Sequence, residues 1–85
     1  MMNNKVIVEI FIPASGESYD VRIPLDIKMH EALQLVSAAL SELTDGKYKA
    51  TEQAVLCDAK TGIIYNINME VAELGIRNGS HLLLI

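Results

Sequence analysis

Few groups in this chain could move a proton, attack a carbonyl or hold a metal. They are the two histidines His30 and His81, the single cysteine Cys57, and Ser15, Ser18, Ser37, Ser41 and Ser80. A catalytic or metal-binding pair of histidines must converge in space. His30 falls in the first turn of a helical segment and His81 at the start of a closing strand, so they read as two separate surface imidazoles. One thiol makes no internal disulfide and cannot supply the ligand set of a zinc site or an iron–sulfur cluster. Cys57 lies in an apolar run with no neighbouring base or helix N-terminus to lower its pKa, the setting of a buried structural thiol. None of the serines sits in a nucleophile elbow, and no glycine-rich phosphate loop is present. The acidic residues are dispersed. The expectation is no catalytic site, no metal and no cofactor, hence no enzyme.

The elements that position these groups follow from periodicity. From Lys5 to Ile12 the residues Val6, Val8, Ile10 and Ile12 share one parity and Ile7, Glu9 and Phe11 the other, the period of a strand whose aliphatic parity faces the core. Pro13-Ala14-Ser15-Gly16 is turn chemistry, and Ser18 to Ile23 alternates again, giving a hairpin closed by Pro24. From Met29 the period changes. Met29, Ala32, Leu33, Val36, Leu40 and Leu43 recur in steps of three and four, the apolar stripe of a helix stopped at Thr44-Asp45-Gly46, with Leu35 at the rim of the core or exposed. Ala54 to Asp58 is predicted as a third strand, Ile63-Ile64-Tyr65 as a short fourth, Val71 to Leu74 as one helical or 3₁₀ turn, and Leu82 to Ile85 as a closing strand central in the sheet. Strands clustered around one helix make an α+β domain, one unit over residues 1–85, with Met1 and the closing strand read as the ends of a complete protein.

Composition narrows the function class. Apolar residues are 51% of the chain and aromatics 5%, with no Trp, so the core is aliphatic. Seven basic against eleven acidic residues give a net charge of −4, and the basic ones form no stripe that would neutralise phosphates. Nucleic-acid binding and attraction to an anionic membrane surface are therefore disfavoured. Met1-Met2-Asn3-Asn4-Lys5 lacks the layout of a signal peptide, and no apolar run is long enough to span a bilayer, so a cytoplasmic protein without direct membrane insertion is expected.

The C-terminal third carries a resemblance. Val71-Ala72-Glu73-Leu74-Gly75-Ile76-Arg77-Asn78-Gly79-Ser80-His81-Leu82-Leu83-Leu84 resembles the closing segment of ubiquitin-like domains. Gly75 stands where the chain must leave a helical turn with positive φ, Asn78-Gly79 offers a second such turn, and Val71, Leu74 and Ile76 would pin the loop to the core. Within Gly75 to Leu82 the chain is most similar to the small bacterial ubiquitin-like proteins of type VII secretion, YukD or EsaB, and also to the cytosolic ubiquitin-like domain of the membrane component EccD. The resemblance implies a β-grasp fold, a mixed sheet of four to five strands packed on one helix. It also implies a non-conjugated interaction domain, an accessory component of a type VII secretion system that docks onto a membrane or ATPase component, or onto a second copy of itself.

Two other functions compete with this one. Ubiquitin-like modifiers and sulfur carriers close in a flexible Gly-Gly tail whose carboxylate is adenylated. This sequence closes Leu82-Leu83-Leu84-Ile85 inside a predicted strand, which disfavours that alternative. A regulatory module without a secretion role is the third. For the docking function, parity names the surface. If the even residues of the first strand face the helix, Ile7 and Phe11 lie on the outer sheet face. Leu83 and Ile85 of the neighbouring closing strand then join them, and so does Leu56 if its phase is outward. Contiguous exposed apolar side chains mark a partner surface, with Phe11 and Leu83 as its hot spots; singly scattered, they are ordinary surface.

Overall fold

The computed structural model describes residues 4–85; Met1 to Asn3, read above as part of a segment that is no signal peptide, lie outside the described residues. β1 (Lys5–Ile12) and β2 (Glu17–Pro24) form the N-terminal hairpin, α1 (Met29–Leu43) follows, and β3 (Leu56–Asp58), a 3₁₀ turn (Val71–Leu74) and β4 (His81–Leu84) complete the chain. The sheet has four strands in the order β2-β1-β4-β3. β1 runs antiparallel to β2 and parallel to β4, and β3 is antiparallel to β4. The closing strand is therefore central and paired on both edges, as its uninterrupted apolar sequence requires.

The parity predicted for β1 holds along its whole length. Val6, Val8, Ile10 and Ile12 are buried on the inner face, under α1, with Val21 and Ile23 of β2 and Leu82 and Leu84 of β4. From α1 they receive Met29, Ala32, Val36 and Leu40. Leu43, expected on this stripe, is 55% exposed: it is the last helical residue and projects past the packed part of the stripe. Leu33 packs at the margin of the core and Leu35 is exposed. At the helix start the Glu31 carboxylate accepts the Lys28 backbone N–H at 3.0 Å. At its end the Thr44 hydroxyl donates to the Leu40 carbonyl (2.7 Å) and accepts the Tyr48 N–H (2.8 Å), while Gly46 turns the chain with φ 80°.

One predicted strand is much reduced. Ile63-Ile64-Tyr65 contributes a single bridge, Cys57 to Ile64. The Asp58 carboxylate accepts the Lys60 N–H (2.7 Å) and its carbonyl accepts the Gly62 N–H (2.8 Å). This tight Asx turn folds the segment back onto the short β3, with Tyr65 N–H bonded to the Leu56 carbonyl at 3.1 Å, and leaves no room for a longer ladder. β3 itself starts later than expected, although Val55 exchanges two backbone bonds with Ile85, of 2.8 and 3.0 Å.

The 3₁₀ turn ends at Gly75 with φ 76°, and Val71 and Ile76 bury into the core with Leu74 beside them. Asn78 does more than turn the chain. Its side-chain oxygen accepts the Ile7 N–H at 2.8 Å, while Gly79 N–H donates to the Ile7 carbonyl at 2.9 Å, so the turn prolongs the β1–β4 ladder. Among the described residues no helix is long and apolar enough to cross a membrane.

Candidate functional site

The outer sheet face is built in rows by the strand registers. One row is apolar across three strands: Phe11 of β1 stands beside Leu83 of β4, Leu83 beside Cys57 of β3, and Cys57 bridges to Ile64. Ser18 of β2 closes its other end. The next row is charged: Asp20 opposite Glu9, and Glu9 opposite His81. Beyond it lie Arg22 and Ile7. At the opposite end, past the apolar row, Val55 and Ile85 pair.

Four of the five residues expected on this face are there. Ile7 and Ile85 are exposed, while Phe11 and Leu83 are half-buried. Leu56 is not. It is 3% exposed and packs in the core, because its register partner is the inward Leu84. The outward phase of β3 belongs to Val55 and Cys57. The structure adds Ile64, well exposed, on the rim beyond Cys57. The patch is also not continuous: Glu9, with Asp20 and His81, separates Ile7 from the Phe11–Leu83 row.

The two histidines lie on opposite sides of the sheet. His30 is exposed on α1, over the inner face, whereas His81 on the outer face forms an ion pair through Nδ1 with Glu9. Both partners of that pair are well exposed, so its effect on stability is small. Cys57 is buried, with Ile64 bridged beside it, and desolvation pushes its thiol above the ordinary value. Tyr65 beside it is raised too, first by desolvation and then by the negative charges of Asp58 and Cys57. A buried thiol held protonated is a poor nucleophile.

Among the described residues three concavities lie on or beside this face, one of about 490 Å³ over Ile7, Glu9, Asp20 and His81. A polar one of about 210 Å³ lies between Asp58, Lys60 and the Gly75–His81 loop. An open cleft of about 950 Å³ runs between the β1–β2 turn and the end of α1, with Tyr19, Leu43, Tyr48 and Leu84 on its walls and Lys47 and Lys49 at its mouth.

Comparison with solved structures places this arrangement. The ubiquitin-like domain of the Mycobacterium tuberculosis type VII secretion system protein ECCD1 superposes with a TM-score of 0.75 at 17% identity, covering 95% of this chain and 97% of that domain. The fold is that of a ubiquitin-like domain. The EccD5 ubiquitin-like domain from Mycobacterium xenopi is similar, with a TM-score of 0.71 at 18% identity over 98% of this chain and 94% of that one. A chain of the MycP5-free ESX-5 inner membrane complex matches at a TM-score of 0.71 and 19% identity, but this chain spans only 21% of its length. No family model and no curated protein matches the sequence. A four-stranded mixed sheet with one helix is thus shared with these domains, and the β-grasp expectation stands.

Proposed function

We propose that this ubiquitin-like domain is a non-catalytic protein-interaction module of the YukD/EsaB type, acting on the cytosolic side of a bacterial type VII secretion machine. The observation that carries the proposal is the near end-to-end likeness to the ubiquitin-like domain of ECCD1, repeated within a secretion inner membrane complex. The docking element is the apolar row of the outer face. Phe11 and Leu83 form its centre, Ile64, Val55 and Ile85 its apolar margin, and the Asp20–Glu9–His81 row its polar rim. Half-buried apolar side chains backed by a rigid sheet suit a hot spot, because little conformational freedom is lost when a partner covers them. The partner class is a membrane or ATPase component of the machine.

The test is site-specific photocrosslinking in source cells, with the probe at position 83 and, in a second strain, at position 30 on the helix. The expected result is a specific adduct at 83, identified by mass spectrometry as a secretion ATPase or a polytopic membrane protein. The same adducts at both positions, or only unrelated proteins at 83, would overturn the proposal.

A further inference from the structure

Among the described residues β2 is an edge strand with β1 on one side only. Its phase is fixed by its neighbours. The odd residues of β1 bond towards β4: Glu9 N–H donates to Ser80 and the Ile7 carbonyl accepts from Gly79, each at 2.9 Å. The even residues of β1 therefore bond towards β2, to Tyr19, Val21 and Ile23, and Leu25 N–H continues the series to the Asn4 carbonyl at 2.6 Å. That leaves the backbone groups of Ser18, Asp20 and Arg22, and the carbonyl of Pro24, directed at the open edge. An edge of this length, with no bulge and no interior proline, is a template for another strand.

The side chains select which strand. Asp20 and Arg22 share the outer face, both are exposed, and among the described residues neither has an ion-pair partner. Asp20 stands directly opposite Glu9, a like-charge cross-strand pair that is unfavourable in the isolated chain. Two copies of β2 running antiparallel can meet around a two-fold axis only at registers that place even residues against even residues. An axis through Asp20 sets Asp20 against itself, and one through Arg22 sets Arg22 against itself. The axis through Val21 sets Asp20 against Arg22 of the second copy and, by symmetry, Arg22 against its Asp20. It also brings Ser18 N–H to the carbonyl of Pro24, so the missing proline N–H interrupts only the ends, and about six backbone bonds form. The outer-face row then reads His81, Glu9, Asp20, Arg22, so that Asp20 gains a cation on the side away from Glu9.

The geometry points to a self-complementary edge: two copies of this chain associate through β2, antiparallel and centred on Val21, with Asp20 and Arg22 exchanged across the axis. The inference does not rest on the Phe11–Leu83 docking row, with whose rim it shares only Asp20.

A charge exchange tests it. The mass of the wild-type chain is followed by light scattering and sedimentation from low micromolar to millimolar concentration, and a concentration-dependent dimer is expected. Asp20→Arg puts arginine against Arg22, and Arg22→Asp puts aspartate against Asp20. Each single variant should raise the dimer Kd about tenfold or more, since two attractive cross-strand pairs become repulsive. Mixing the two variants restores both pairings, so a heterodimer of wild-type affinity should form. Asp20→Arg also faces Glu9 within its own chain, so it should melt no lower than wild type, which separates dimer loss from unfolding. A wild-type chain that stays monomeric throughout would overturn the inference. So would single variants that dimerise like wild type, or a mixture that fails to re-associate.

Discussion

Replacing Leu82 and Leu83 one at a time with alanine probes the feature on which the docking face depends, the opposite orientation of two adjacent leucines in β4. Leu82 is fully buried between β1 and β3 against the helix, whereas Leu83 is half-buried on the outer face. Truncating a fully buried leucine removes its transfer free energy and leaves a cavity, about 2–5 kcal/mol together. Truncating Leu83 loses only part of the transfer term, about 1 kcal/mol, because solvent fills the space. A domain of 85 residues has a total stability of about 4–13 kcal/mol, so the first loss threatens folding and the second does not. The melting temperature should fall by about 15 °C for Leu82→Ala and about 5 °C for Leu83→Ala. Urea titration followed by far-UV circular dichroism reads both losses. Equal losses at the two positions, or a larger one at Leu83, would refute the assigned parity and remove Leu83 from the docking surface.

Three further outcomes follow from local geometry. Asn78→Ala removes the acceptor of the Ile7 N–H and should cost about 0.5–1 kcal/mol, with faster amide exchange at Ile7 than at Glu9 as its local signature. Gly75→Ala meets no neighbouring atom but must adopt φ 76°, so about 1–2 kcal/mol of backbone strain is expected, with Gly75→Asn intermediate by thermal denaturation. Burial raises the Cys57 thiol and the Tyr65 hydroxyl in the folded state, so the contribution of Cys57 is complete below 9.0 and that of Tyr65 below 10.0, each lost as pH rises from that ordinary value through the raised folded one. Stability measured by urea titration should therefore decline on the alkaline side, less steeply in Cys57→Ala; an unchanged slope in that variant would assign the decline to other groups.

The parts of the fold legible in the sequence are those with enough periods to fix a phase. β1 offers eight alternating residues, so its inner and outer faces follow from the sequence, and with them Ile7 and Phe11. β4 inherits its phase by lying beside β1, which the ubiquitin-like resemblance supplied. β3 has three residues, too short for alternation to decide between Leu56 and Cys57, and the choice is made by tertiary register against Leu84 and Leu83. Ile63 to Tyr65 has strand composition, but the Asp58 side chain closes a turn that propensity does not register. The charged row that divides the outer face was invisible for the same reason. Asp20, Glu9 and His81 become neighbours only through one hairpin register and one parallel pairing between strands far apart in the chain.

The outer face and the β2 edge are coupled through Asp20, which rims the first and pairs across the second. Two copies joined along β2 would form one eight-stranded sheet with both Phe11–Leu83 rows on the same side, since a two-fold axis normal to a sheet keeps its faces distinct. The two Phe11 residues would stand three strand spacings apart laterally, about 14 Å, and six residues apart along the strands, about 20 Å, giving a separation of roughly 25 Å. A partner that repeats its binding element on that scale gains avidity from the pair without any new contact, whereas a partner with a single element gains nothing. The modest affinity expected of each small apolar row is then no obstacle to stable docking on an oligomeric assembly. On that arrangement Arg22→Asp, which lies outside the docking row and its rim, lowers binding to a repeated partner while leaving the affinity of each row for a single element intact.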